Sequence, residues 1–148
     1  QTHNHLGRSL LLREIFNKEE GEAPAVDYAL EKKNAQFVTQ LINSKLIKSC
    51  NDVSDGGILM TISKMSFEHK ISAALDKKQL EYLFAEDQAR YIITTTNTDE
   101  IIKLAGKNDI FIEKIGETQA GKISVAEMEI ELSKLQQDFD KIIAVNFS

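Results

Sequence analysis

The residues best equipped for chemistry in this 148-residue chain fall in one short stretch, Asn51-Asp52-Val53-Ser54-Asp55-Gly56-Gly57. Asp52 and Asp55 supply carboxylates, which suit a hard cation such as Mg2+ that also takes water and phosphate oxygens. Ser54 adds a hydroxyl. Gly56 and Gly57 open backbone conformations closed to other residues and let the main chain approach a ligand closely. An apolar run at helical spacing, Ile58 to Phe67, comes next. The stretch therefore ends at a helix start, whose free amides carry partial positive charge and favour phosphate. The same residue types also make a plain capped turn, in which Ser54 or Asp55 caps the helix and the glycines only redirect the chain. The pattern alone leaves both readings open.

Other titratable groups are less concentrated. His3 and His5 alternate, but a zinc site takes three or four ligands, and no Cys/His cluster supplies the rest. Gly7 and Arg8 can contact an anion, although a solvated or interface arginine is the plainer expectation. Glu86-Asp87-Gln88-Ala89-Arg90 sets two acids beside an arginine just before an apolar strand. The ordinary expectation there is a loop whose arginine pairs with its neighbours, since exposed pairs of this kind contribute little. His69, near a helix C-terminus, is expected to interact with that end rather than to do acid-base work.

The elements that must position these groups follow from hydrophobic spacing. Ser9 is expected to cap a helix carrying Leu11, Leu12, Ile15 and Phe16, and Asn17 to Ala25 reads as an acidic loop with the only proline, Pro24. Asp27 is expected to cap a long helix to about Lys45, with Tyr28, Leu30, Phe37, Val38, Leu41 and Ile42 on its apolar face. Strands are expected over 45–50, 70–75, 91–95, 110–115 and 122–126, the last a hairpin partner formed through the Ala120-Gly121 turn. Shorter helices are expected from Asp76 through Leu80, Leu83 and Phe84, and from Thr98 to Gly106 as terminator. A final one starts near Leu132, with Leu135, Phe139, Ile142 and Ile143 on one face. This alternation predicts an α+β fold, a mixed β-sheet flanked by helices. No internal repeat, low-complexity tract or second linker is visible, and residues 1–148 read as a single domain.

Composition narrows the function classes. With 42% hydrophobic and 28% charged residues this is an ordinary globular chain. A net charge of -5 argues against nonspecific binding to nucleic acid or to an anionic membrane surface. No apolar run approaches the roughly 20 residues that span a bilayer. The single cysteine, Cys50, cannot form an internal disulfide, and the start lacks the pattern of a secretory signal, so a cytoplasmic setting is expected. The opening Gln1-Thr2-His3-Asn4-His5 reads like a chain entered in mid-course.

Asp52-Val53-Ser54-Asp55-Gly56-Gly57 before an apolar helix resembles the turn in the C-terminal domain of the aminoimidazole ribonucleotide synthetase superfamily. Histidine usually precedes the first aspartate there; this chain has Asn51. Further stretches resemble one family within it, the large-subunit-type phosphoribosylformylglycinamidine synthases of purine biosynthesis. They are His5-Leu6-Gly7-Arg8-Ser9, Leu12-Arg13-Glu14-Ile15, Glu20 to Asp27, Phe84 to Tyr91, and Ile115-Gly116-Glu117-Thr118. The likeness runs in order from about His5 to the final helix, and by resemblance the Glu86 to Arg90 stretch matches a family segment that approaches the strand-turn-helix.

The resemblance implies an ATP-dependent ligase that converts formylglycinamide ribonucleotide to formylglycinamidine ribonucleotide. Phosphoryl transfer activates an amide oxygen, and ammonia derived from glutamine then displaces it. It implies Mg2+ and ATP or ADP as cofactors, with Asp52 on the metal and Ser54, Gly56 and Gly57 on the nucleotide. Asp55 is expected to cap, and Asn51 casts doubt on proton transfer at its position. The family's catalytic histidine, main ATP segment and most Mg2+ ligands would lie upstream of Gln1. This chain would then hold no catalytic residue and, alone, no synthase activity. The implied partners are the upstream domains of the same polypeptide, together with glutaminase and small accessory subunits. A free-standing nucleotide-binding module, another ligase or kinase of the superfamily, and a nonenzymatic interaction domain are the alternatives.

Overall fold

A computed structural model describes residues 5–69, 71–76 and 79–146. In chain order the elements are α1 (Leu10–Phe16), α2 (Tyr28–Asn43), β1 (Ser49–Asp52), α3 (Gly57–His69), β2 (Ile71–Leu75), α4 (Leu80–Phe84), β3 (Tyr91–Thr94), α5 (Thr98–Lys107), β4 (Gly116–Ala120), β5 (Lys122–Val125), β6 (Met128–Glu131) and α6 (Leu132–Asn146). The fold is α+β with a mixed sheet, as the spacing predicted. The chain divides into two compact units. The first takes Gln1–Thr61 with Gln79–Lys114, the second Ile62–Lys78 with Ile115–Ser148. Among the described residues no helix is long and apolar enough to cross a membrane.

In the first unit, local chemistry sets the helix starts. The Ser9 hydroxyl accepts from the Leu12 amide at α1. Asp27 Oδ1 accepts from the Ala29 and Leu30 amides at 2.9 and 3.0 Å, satisfying two donors that α2 leaves unpaired at its start. Phe37 and Leu41, one turn apart on α2, pack with Ile101 and Ala105 of α5. Leu46, Ile47, Ile93, Leu104, Ile110 and Ile112 close around that core. The buried stripe of α2 is narrower than its sequence suggests, because Tyr28, Leu30 and Ile42 are exposed, as are Ile15 and Phe16 of α1.

β1 and β3 form a two-stranded antiparallel ladder, with Cys50 opposite Ile93, Asn51 opposite Ile92 and Asp52 opposite Tyr91. The strand starts at Ser49 rather than Lys45. Lys45 adopts a left-handed φ of 55° after α2, and Leu46 and Ile47 serve as connectors packed on the core. Asn51 and Asp52 are consequently strand residues, and the turn proper begins at Val53.

The second unit is a four-stranded sheet in the order β4-β2-β5-β6. β2 runs antiparallel to β4 and parallel to β5, and β5 runs antiparallel to β6. Leu75, Ile123 and Val125 are buried, and the Phe67 and Phe139 rings meet at 5.2 Å between centroids. The sheet corrects three expectations. Residues 110–115 form no strand, since Ile110 and Ile112 are used as core packing in the first unit. The strand follows them as β4, starting at Gly116. β5 has β6 as its hairpin partner, because β2 lies between β4 and β5. Two helix ends also differ. Gly106 lies inside α5, which stops at Asn108 and the left-handed Asp109, and α4 starts after Gln79. Lys70, and the Ile142 and Ile143 side chains, lie outside the described residues.

Candidate functional site

The turn from Val53 to Gly57 joins β1 to α3, and each of its fixed points is held by the segment from Leu83 to Arg90. The buried Val53 donates its amide to the Arg90 carbonyl at 2.9 Å, carrying the β1–β3 ladder one step past Asp52. Gly56 donates to Glu86 Oε1 at 2.8 Å. Gly57 takes a left-handed φ of 66°, and a Cβ on it would meet the carbonyl oxygens of Leu83 and Ala85 at 2.6 and 2.8 Å. Only glycine meets both demands, the backbone angle and the closeness of another main chain. Within the turn Gly57 donates to the Ser54 carbonyl at 2.9 Å. The Thr61 hydroxyl donates to the Gly57 carbonyl at 2.9 Å.

This scaffold leaves three polar side chains facing solvent: Asp52 at the end of β1, then Ser54 and Asp55 in the turn. Among the described residues none of the three side chains forms a hydrogen bond. Gly56 and Gly57, by contrast, are buried, with their amides held by Glu86 and by the turn itself. Of the expected nucleotide contacts, the carboxylate and the hydroxyl are presented and these two amides are engaged internally. Among the described residues no three His, Cys, Asp or Glu side chains come together as a metal cage. A cation at Asp52 would have to bring most of its own oxygen ligands. His3 lies outside the described residues, and His5 is half-buried.

Burial raises the pKa of the Cys50 thiol, and the nearby Asp52 carboxylate raises it further. The Tyr91 phenol, opposite Asp52 in the ladder, is also raised, first by burial, then by Glu31, with Asp52 a smaller contributor.

The bonding role of Glu86 is what sequence reasoning missed. Its Oε1 accepts from Gly56 and also from Leu10, the first residue of α1, both at 2.8 Å. Arg90 behaves as expected for a loop arginine that bonds its neighbours, but it is buried. Its Nε donates to the Asp87 carbonyl at 3.1 Å, and Nη2 donates to the Ala85 carbonyl. Nη1 is buried without a hydrogen-bond partner among the described residues. Burial lowers the Arg90 pKa, opposed by Asp87 and Tyr82. Ala89 holds a left-handed φ of 62°, and its carbonyl accepts from Asn34 Nδ2 at 2.8 Å. The available sequence signal was the resemblance of the Glu86 to Arg90 stretch to a family segment that approaches the turn.

Arg8, Ser9, Arg13, Lys18 and Glu19 line a recess of about 230 Å³ at the start of α1. Its cations are already met: Arg13 pairs with Glu14 at 2.8 Å, Lys18 with Glu20 at 3.8 Å, and Arg8 Nε donates to the Gly21 carbonyl.

The fold and the turn together define an α+β domain organised around a strand-turn-helix that presents a carboxylate and a hydroxyl. The family model for AIR synthase related protein, C-terminal domain, matches residues 4–129, and the chain belongs to that family. It is similar to the phosphoribosylformylglycinamidine synthase subunit PurL of Ruegeria sp. (strain TM1040), 34% identical over 141 residues, covering 94% of this chain and 19% of that protein. It is also similar to PurL of Pelagibacter ubique (strain HTCC1062), 40% identical over 123 residues, covering 78% of this chain and 17% of the other. The chain thus spans about a fifth of the length of such relatives. Among solved structures, Thermotoga maritima PurL complexed with ADP is similar in fold at TM-score 0.67 and 20% identity, covering 78% of this chain and 24% of that one. The same protein complexed with FGAR gives 0.65 and 19%, covering 76% and 22%.

Proposed function

We propose that the chain is the C-terminal domain of a phosphoribosylformylglycinamidine synthase, with residues 1–148 working as one domain of synthetase type. In this reading it forms one wall of a Mg-nucleotide site within an ATP-dependent ligase that makes formylglycinamidine ribonucleotide in the cytoplasm. The upstream domains of the same polypeptide supply the catalytic groups. Glutaminase and small accessory subunits are its further partners, and the similarity to a structure of PurLQS from Thermotoga maritima supports that part.

The observation that carries the site is the pairing of free groups at the turn. Asp52 and Ser54 are exposed on either side of the buried Val53, and among the described residues neither side chain forms a hydrogen bond. Asp52 would hold the Mg2+ and Ser54 would donate to a phosphate oxygen. The bound ion supplies neutralisation of phosphate charge. Gly56 and Gly57 contribute by shape, keeping the turn close to its support so that both side chains point outward. The likeness to a protein solved with ADP supports a nucleotide as the ligand.

The test is calorimetric titration of Mg-ADP into the full-length synthase that carries this chain, with Asp52→Asn in parallel. Binding that weakens at least about tenfold in the variant, the scale of one lost charge-assisted contact, supports the reading. Unchanged affinity removes Asp52 from the site. The purified 148-residue chain is expected to form no formylglycinamidine ribonucleotide from the ribonucleotide substrate, ATP and ammonia. Turnover by it alone would place the catalytic groups in this chain.

A further inference from the structure

We propose that Glu86 is a positioning residue for the turn, holding Asp52 and Ser54 where a Mg-nucleotide meets them; the proposal rests on the function proposed above. One carboxylate oxygen takes two amide protons, from Gly56 and from Leu10, each at 2.8 Å. A hydrogen bond to an ionised acceptor is roughly twice as strong as a neutral one. Both donors lie far from Glu86 in the chain, so neither bond is a by-product of local geometry.

Glu86 is itself held in place. The carbonyls on either side of it, those of Ala85 and Asp87, both accept from the buried Arg90 guanidinium. The turn is fixed at three points: the Val53 amide on the Arg90 carbonyl, the Gly56 amide on Glu86, and Gly57 packed on the Leu83 and Ala85 carbonyls. Two of these attachments are main chain to main chain. Glu86 makes the one that belongs to a side chain, and therefore the one a substitution removes without altering the backbone. Because the same oxygen holds Leu10, the start of α1 and the turn are tied to a single group.

The experiment uses the full-length synthase with Glu86→Ala, Glu86→Gln, Asp52→Asn and the Glu86→Ala/Asp52→Asn double variant. Hydrogen exchange is read on peptides covering 6–14 and 53–61, and Mg-ADP affinity by calorimetry. Glu86→Ala is expected to speed exchange in both peptides together and to weaken Mg-ADP by about tenfold or more. Glu86→Gln keeps an oxygen acceptor without the charge and is expected to fall between. In the double variant the losses are expected not to add, since both act on one site. A general weakening of the fold would give additive losses and no rescue by glutamine, and would overturn the proposal. So would affinity within about twofold of the parent in Glu86→Ala, or unchanged exchange at 53–61. If Glu86→Ala does not fold, Glu86→Gln decides, and parental affinity there overturns the assignment. If the parent binds no Mg-ADP, the proposed function fails and this role fails with it. If the parent binds and only the Glu86 variants behave like it, this inference fails alone.

Discussion

Gly57→Ala should be severely destabilising, and two other glycines separate its causes. An alanine at 57 would have to keep a φ of 66°, which costs a residue with a Cβ roughly 1–2 kcal/mol. Its methyl would also sit 2.6 Å from the Leu83 carbonyl oxygen and 2.8 Å from both the Ala85 oxygen and the Phe84 carbonyl carbon. These are main-chain atoms and cannot swing aside, so overpacking adds roughly 1–3 kcal/mol. The expected loss is about 2–5 kcal/mol, a large share of the 5–15 kcal/mol typical of a whole domain. Gly121 has a φ of 80° but nothing within 4 Å of its Cβ position, so Gly121→Ala isolates the backbone term, about 1–2 kcal/mol. Gly106 lies in α5 with open space around it, and Gly106→Ala should stabilise by about 0.5–1 kcal/mol. Urea unfolding followed by far-ultraviolet circular dichroism, extrapolated to water, gives all three values. A Gly57→Ala loss no greater than that of Gly121→Ala would refute the close packing of the turn on residues 83–85.

Three further outcomes are expected. Asp27→Ala should cost about 1 kcal/mol by leaving the Ala29 and Leu30 amides uncapped, while Asp27→Ser should recover nearly all of it in the same urea assay. The Tyr82 phenol donates to Glu113 at 2.8 Å and is raised well above its ordinary range, first by burial and then by that bond. The folded state therefore keeps its proton where the unfolded chain loses it. This contribution is whole below the usual tyrosine pKa near 10 and falls above it, by at most about 1.4 kcal/mol per pH unit. Tyr82→Phe should flatten the stability profile between about pH 10 and 11, and an identical slope in parent and variant would be a failure. Finally, the raised Cys50 thiol should react slowly with a disulfide reagent near pH 8, and Asp52→Asn should speed it. An unchanged rate would separate Asp52 from that thiol.

What could be seen in advance was local. Ser9 and Asp27 announced their helices because a capping side chain acts within three residues of itself. The strand-turn-helix was visible because its glycines and acids are contiguous. Residues 110–115 misled because alternation of Ile and Phe signals burial on a pleated surface, which a packed connector also provides. β6 went unseen although Met128-Glu129-Ile130-Glu131 alternates, because four residues running straight into α6 make too short a signal. Glu86 was legible only as part of a stretch whose resemblance brings it near the turn, and its role there was not. Its two partners are set by tertiary placement, and its residue type is the same as that of many solvated acids nearby.

The order of strands in the second unit has a consequence for synthesis. β2 ends at Leu75, yet both of its neighbours, β4 and β5, begin only at Gly116 and Lys122. As the chain leaves the ribosome, Ile71–Leu75 emerges with both hydrogen-bonding edges bare and stays so until the stretch from Gly116 to Val125 has followed. Unpaired edges invite pairing with another chain. Expression boundaries placed before Val125 should therefore yield aggregates, and a nascent chain stalled in that interval is the state in which this protein most needs a chaperone.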